Sequence, residues 1–251
     1  MLTKVKTDDE IKSMREAGGM LAAVLSLLDR KTESGMTGLD VAEIAKKELE
    51  KLGGKPSFLG YEGFPSVICI SLNDEVVHGI PNDREFKDGD LVSYDFGVTV
   101  NGMITDSAFT KALGRVPDNV QQLLEKTEQS LMAGIDVAKN GAHTGDIGAA
   151  IERILKSADL GIVRDLVGHG VGHHVHEEPN FPNYGTPGTG SMIKTGMTIA
   201  LEPMATLGTH KVGVDQDGWT IRTQDGSLSA HFEHTLLVTD SGAEILTPRD
   251  S

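Results

Sequence analysis

Apolar residues recur every three to four positions in four stretches of the chain and give way to strand-like runs between them. The pattern therefore predicts two helices followed by strands, twice over. Thr7-Asp8-Asp9-Glu10 is a capping box, in which the threonine oxygen and the glutamate satisfy free amides at a helix start. Ile11, Met14, Leu21, Val24, Leu25 and Leu28 follow on one face, while Gly18-Gly19 either weakens the helix or lets another segment pack closely. A second helix opens near Thr37, carries Val41, Ile44, Ala45, Leu49 and Leu52, and stops at Gly53-Gly54. Strands are predicted from Val67 to Phe109. Leu91 to Val100 is rich in β-formers, and Asn101-Gly102 signals a hairpin turn before Met103 to Thr110.

The second round begins with a helix over Pro117 to Asp136, bearing Val120, Leu123, Leu124, Leu131 and Ile135, and another from Thr144 through Ile147, Ile151, Ile154 and Leu155. Strands resume after Gly161. Lys87-Asp-Gly-Asp-Leu-Val-Ser-Tyr-Asp95 and Lys194-Thr-Gly-Met-Thr-Ile-Ala-Leu-Glu202 each put a carboxylate eight residues after a lysine. The chain is read as an internal duplication of a helix-helix-hairpin unit in an α/β (α+β) fold, with one ligand at the matching strand position of each half. No long linker separates the halves, so residues 1–251 are expected to form one domain. The segment Pro179 to Lys194, rich in proline and glycine, is expected as an extended surface loop.

Composition narrows the chemistry. Aromatics are only 4% of the chain, so the core must rest on aliphatic side chains. A formal charge of −14 repels nucleic-acid phosphate and anionic lipid, and favours metal cations or a substrate's amino group. The single cysteine, Cys69, excludes an intrachain disulfide and suits a reducing compartment. Met1 to Met14 lacks the apolar core of a secretory signal and no stretch approaches a membrane span, so a cytoplasmic location is expected.

Acidic residues and histidines on the strand-like segments supply candidate ligands. Asp95 and Asp106 flank the Asn101-Gly102 turn and come near to facing each other in a hairpin, where a cation would relieve their repulsion. Gly168-His169-Gly170-Val171-Gly172 lets backbone approach an imidazole closely, and His176 follows seven residues later in His176-Glu177-Glu178-Pro179. Glu202 ends the apolar run Ile199-Ala-Leu-Glu, and Glu233 sits inside Ser229-Ala-His-Phe-Glu-His-Thr-Leu-Leu-Val238; both need partners if buried. Oxygen donors mixed with imidazole suit Mn, Fe, Co or Zn, and a pair of such ions activates water while polarising a carbonyl. His231 shares the face of Glu233 and is a candidate supporting residue.

These motifs, together with Asn73-Asp-Glu-Val-Val-His-Gly-Ile-Pro81, span essentially the whole chain and resemble the type I methionine aminopeptidases of the pita-bread metallopeptidases. The resemblance implies a pita-bread fold and removal of the initiator methionine by two divalent metal ions. Asp95 would chelate one metal, Asp106 and Glu233 would bridge both, and His169 with Glu202 would complete the second. It further implies that Glu202 shuttles protons, His176 stabilises the carbonyl oxygen and His78 contacts the substrate backbone. A methionine pocket falls at Phe58, Tyr61, Phe64, Cys69, Val175 and Trp219, where Val175, Phe64 and Phe58 depart from the commonest family residues. By the same resemblance Asn73, Glu75 and Ser229 would hold a monovalent cation. Nascent polypeptide N-termini would be the substrates, met by a monomer beside the ribosome. Glu233 lies 31 positions after Glu202, which leaves no space for the helical insert of type II enzymes, and no zinc-finger-like extension precedes the first helix. Two rivals share the fold: an Xaa-Pro aminopeptidase or dipeptidase, expected to carry an extra N-terminal domain, and a metal-free binding protein, expected to have lost ligands.

Overall fold

The computed structural model describes residues 5–249. Helices α1 (Asp8–Lys31) and α2 (Gly38–Leu52) both start on threonine capping boxes, at Thr7/Glu10 and Thr37/Asp40, and α2 ends on Gly53 at φ 82°. Gly18 serves close packing, since a Cβ there would collide with the carbonyl of Leu246. The second pair is α3 (Asp118–Val137) and α4 (Thr144–Ser157). All four helices lie within a residue or two of their expected starts.

The main sheet has nine strands: β1 (Lys55–Pro56), β2 (Cys69–Leu72), β3 (Leu91–Val100), β4 (Met103–Ala112), β5 (Gly168–Gly170), β6 (Glu177–Phe181), β7 (Thr198–Leu201), β8 (Glu233–Val238) and β9 (Ala243–Ile245). Its order is β1-β3-β4-β8-β7-β5-β6, with β2 also on β3 and β9 on β8, and every pairing is antiparallel. Asn101 and Gly102, at φ 50° and 81°, make the tight turn between β3 and β4 that their residue types require. Strand β3 alternates cleanly: Val92, Tyr94, Phe96 and Val98 enter the main core with α1 and α2, while Ser93, Asp95, Gly97 and Thr99 turn to the other face.

The two halves meet at β4 and β8, where Glu233 faces Ala108. Around that seam the arrangement is two-fold: β3 flanks β4 as β7 flanks β8, and each half is backed by its own helix pair. The second half departs from a simple hairpin. Strands β7 and β8 are neighbours, but the chain between them, 202–232, contributes to two small three-stranded sheets before returning. Expectation fails in part for Pro179 to Lys194. Pro179 to Phe181 belong to β6, Asn183 is fully buried, and only Thr186 to Met192 form an exposed tip. The reason is contact with α4: a Cβ on Gly145 or Gly148 would strike the carbonyl of Thr186 or Tyr184.

Candidate metal centre

Register alone puts the five candidate ligands on one face of the sheet. Asp95 faces Ala108, which faces Glu233, and Asp106 lies two residues from Ala108 on the same side. His169 faces Ala200, which faces Thr235, so Glu202 and Glu233, two residues away along their chains, share that side as well. Side chains complete the convergence. Ligand atoms of Asp106, His169 and Glu233 lie within 4.8 Å of one another, and His169 Nε2 is 3.3 Å from Glu202 Oε1. Asp106, His169 and Glu233 are buried, whereas Asp95 and Glu202 are partly so.

The surroundings hold the ligands in place. Thr235 Oγ1 accepts the Asp106 N–H at 2.8 Å and donates to the Asp106 carbonyl at 2.7 Å, while Ser107 Oγ donates to the Glu233 carbonyl at 2.6 Å. Asn183 Nδ2 donates to the carbonyl of Glu202 at 3.1 Å. His169 Nδ1 is 2.9 Å from the Gly170 carbonyl; a proton on Nδ1 makes that bond and leaves the Nε2 lone pair facing the carboxylates. Gly168 is needed because a Cβ there would lie 2.5 Å from the Ala200 carbonyl across the sheet.

Electrostatics mark the cluster as incomplete without cations. Burial pushes Asp95 up to about 7. Burial first, then neighbouring negative charges, raise Asp106, Glu202 and Glu233 well above the carboxylate range. Asp95 Oδ1, Asp106 Oδ1 and Glu233 Oε1 are buried without a hydrogen-bond partner among the described residues. Orphaned anionic oxygens cost several kcal/mol in such a setting, and the chemistry of the donor set fits hard or borderline divalent ions. His231 is buried beside them, its Nε2 3.9 Å from both Glu202 and Glu233, and burial lowers it to about 3. It is therefore a neutral neighbour of the cluster.

A cavity of about 110 Å³ opens above the carboxylates, lined by all five candidate ligands together with Phe58, Tyr61, Glu62, Phe64, Cys69, His78, Val175, His176 and Trp219. Phe58, Phe64, Cys69 and Val175 form its apolar floor, and Phe64 meets the Trp219 ring edge-on at 5.1 Å. Gly97 makes room for Phe58, whose ring would lie 2.7 Å from a Cβ. His176 stands exposed at the rim, edge-on to His169 at 4.5 Å, and its Nδ1 is 2.9 Å from the Tyr61 hydroxyl. Partial burial of the ring lowers its pKa, and burial takes His78 down to about 4, so both imidazoles are neutral near pH 7. Every residue expected at the site from sequence is thus gathered here. Glu62, at the rim with φ 48°, was not among them; its signal, an acid in a Gly-Tyr-Glu-Gly turn, is indistinguishable from a solvated loop residue. Ser229, Asn73 and Glu75 also meet: Ser229 Oγ donates to the carbonyls of Asn73 at 3.0 Å and Glu75 at 3.2 Å.

Residues 12–240 match the model of metallopeptidase family M24. The methionine aminopeptidase of Clostridium perfringens is 42% identical over 243 residues, covering 97% of this chain and 98% of that protein. The crystal structure of methionine aminopeptidase from Thermotoga maritima superposes with a TM-score of 0.97 at 42% identity, covering 99% and 100% of the two chains. The prolidase of Pyrococcus furiosus shares the fold at 22% identity and a TM-score of 0.79, with 98% of this chain spanning 66% of that one.

Proposed function

The chain belongs to metallopeptidase family M24, and we propose from this that it is a methionine aminopeptidase, releasing the N-terminal methionine of newly made polypeptides. The observation that carries the reading is the convergence of five donors from both halves beneath an apolar pocket with two neutral imidazoles at its edge. Because each half supplies ligands, residues 1–251 work as a single catalytic unit.

Asp95 would hold one divalent ion, Asp106 and Glu233 would be shared, and His169 with Glu202 would hold the other; Asn73, Glu75 and Ser229 are candidates for a monovalent cation. Manganese, iron, cobalt or zinc, when bound, would supply Lewis acidity and a water made acidic enough to attack near neutral pH. Glu202 is the residue placed to hold a proton in transit between the attacking water and the leaving amine. His176 is the donor for the developing oxyanion: a Tyr61 hydroxyl donating to Nδ1 fixes the proton on Nε2, where it points at the substrate carbonyl. His78 contacts the substrate backbone, and Phe58, Tyr61, Phe64, Cys69, Val175 and Trp219 enclose the methionine side chain with polarisable and aromatic surface.

Peptide assays test this directly. The manganese- or cobalt-loaded protein is expected to cleave Met-Ala-Ser and to lose that activity in chelator. Preference for an Ala-Pro substrate would favour the prolidase-like branch instead, and failure to bind two equivalents of metal in calorimetry would favour a metal-free binder. Among the described residues no helix is long and apolar enough to cross a membrane.

A further inference from the structure

Behind the turn that carries His176 lies a buried ion pair that the chemistry above does not use. Lys6 has a fully inaccessible side chain and places Nζ 3.2 Å from Glu177 Oε2, and Glu177 is itself 3% exposed. The other carboxylate oxygen of Glu177 accepts the backbone N–H groups of His173 at 2.8 Å and His174 at 3.1 Å. Gly172, at φ 147°, lies directly on the Lys6 stem, where a Cβ would collide with Cε. The strap is anchored in turn: the Lys6 N–H donates to the Gly196 carbonyl at 2.8 Å, and the Gly196 N–H donates to Val238 in β8 at 2.9 Å. Four residues on, Glu10 of the capping box reaches His173 Nε2 at 2.7 Å. The turn 171–176 and the first residue of β6 are therefore held at three points, Gly172 and Glu177 by Lys6 and His173 by Glu10 in the first turn of α1.

Desolvating two charges offsets much of their attraction, so a buried pair of this kind is a poor source of net stability and a better device for fixing one arrangement of the chain. Here the arrangement it fixes ends at His176, one residue before Glu177. We propose that Lys6 and Glu177 are positioning residues for His176, setting the depth and direction from which its ring reaches the cavity. The proposal rests on the reading of His176 as the oxyanion donor. A displacement of about 1 Å in such a donor is enough to cost up to about a hundredfold in rate, without removing any ligand from the metals.

The test uses the full chain loaded with manganese, assayed on Met-Ala-Ser. Lys6→Met keeps the stem and removes the charge; Glu177→Gln keeps an acceptor for the two backbone amides and serves if the first variant folds poorly. Each is expected to lower kcat about tenfold or more with KM and metal stoichiometry unchanged, and Lys6→Arg is expected to recover part of the loss. In a His176→Ala background neither should cost anything further, because nothing remains to be positioned. Wild-type kcat in both variants, loss of metal, or an undiminished loss in the His176→Ala background would each overturn the proposal. Absence of methionine release by the unmodified protein would instead overturn the functional reading on which it stands.

Discussion

At the scale of single residues, the site asks buried carboxylates to remain charged, and only cations offset the cost of doing so. Asp95→Ala and Glu233→Ala are accordingly expected to abolish turnover through metal loss, visible as fewer than two manganese equivalents by calorimetry; full loading with wild-type rates would contradict it. His176→Ala should behave differently, keeping both ions while kcat falls about 100- to 1,000-fold, the usual cost of one donor to an oxyanion. Wild-type turnover in that variant would remove His176 from the mechanism. The candidate ligands were legible in sequence because acids and histidines inside apolar strands are rarely buried unless something pairs with them. Thr235, which clamps the Asp106 backbone, and Lys6, which holds the His176 turn, were not. Their partners lie 129 and 171 residues away, and a threonine or lysine alone states no requirement.

At the scale of elements, capping signals, turn chemistry and periodicity agreed with one another, which is why all four helices and the β3–β4 hairpin could be read from the sequence. The excursion of 202–232 into two small sheets could not, because its strands are three residues long and each sheet is completed by a short strand from far along the chain, Gly161–Ile162 in one and Glu75–Val77 in the other. Gly18 was legible as a close-packing position, whereas the reason for Gly97 was not. Gly97 interrupts β3 opposite Asp106 to accommodate Phe58, so Gly97→Ala should push that ring into the pocket. The expected result is a rise in KM for methionyl peptides of about tenfold with metal content intact, and an unchanged KM would show that the ring gives way elsewhere. The α1 cap carries a pH signature. The Thr7 backbone amide, then His173, hold Glu10 down at about 2 against an ordinary 4.5. A carboxylate depressed in the folded state adds stability that is complete above about pH 4.5 and lost as pH falls toward 2. Glu10→Gln should therefore lower Tm above pH 5 and differ progressively less from the parent as the solution is acidified; a constant difference would assign the effect to packing.

At the scale of the whole molecule, the candidate metal centre draws its residues from two similar halves, so that bound ions would fasten one to the other. Asp95 and Asp106 come from one helix-helix-strand unit and His169, Glu202 and Glu233 from the other, and the backbone seam between them is the short β4–β8 pairing. Without cations, the four carboxylates oppose closure of that seam, since burial raises the proton affinity of all four and neighbouring negative charges raise that of Asp106, Glu202 and Glu233 further. Ions that bind the closed arrangement and not the unfolded chain must then stabilise folding by mass action, by about 4 kcal/mol at a thousandfold excess over Kd. For a protein of this size that corresponds to a rise in Tm of roughly 2 to 4 °C for each kcal/mol, or about 8 to 16 °C in all. Calorimetric scans with chelator and then with excess manganese should show this rise, and Glu233→Gln should lose most of it, because one shared ligand no longer joins the halves. A melting temperature indifferent to metal in the parent protein would mean that the two units close on each other without help, and that the carboxylates serve chemistry alone.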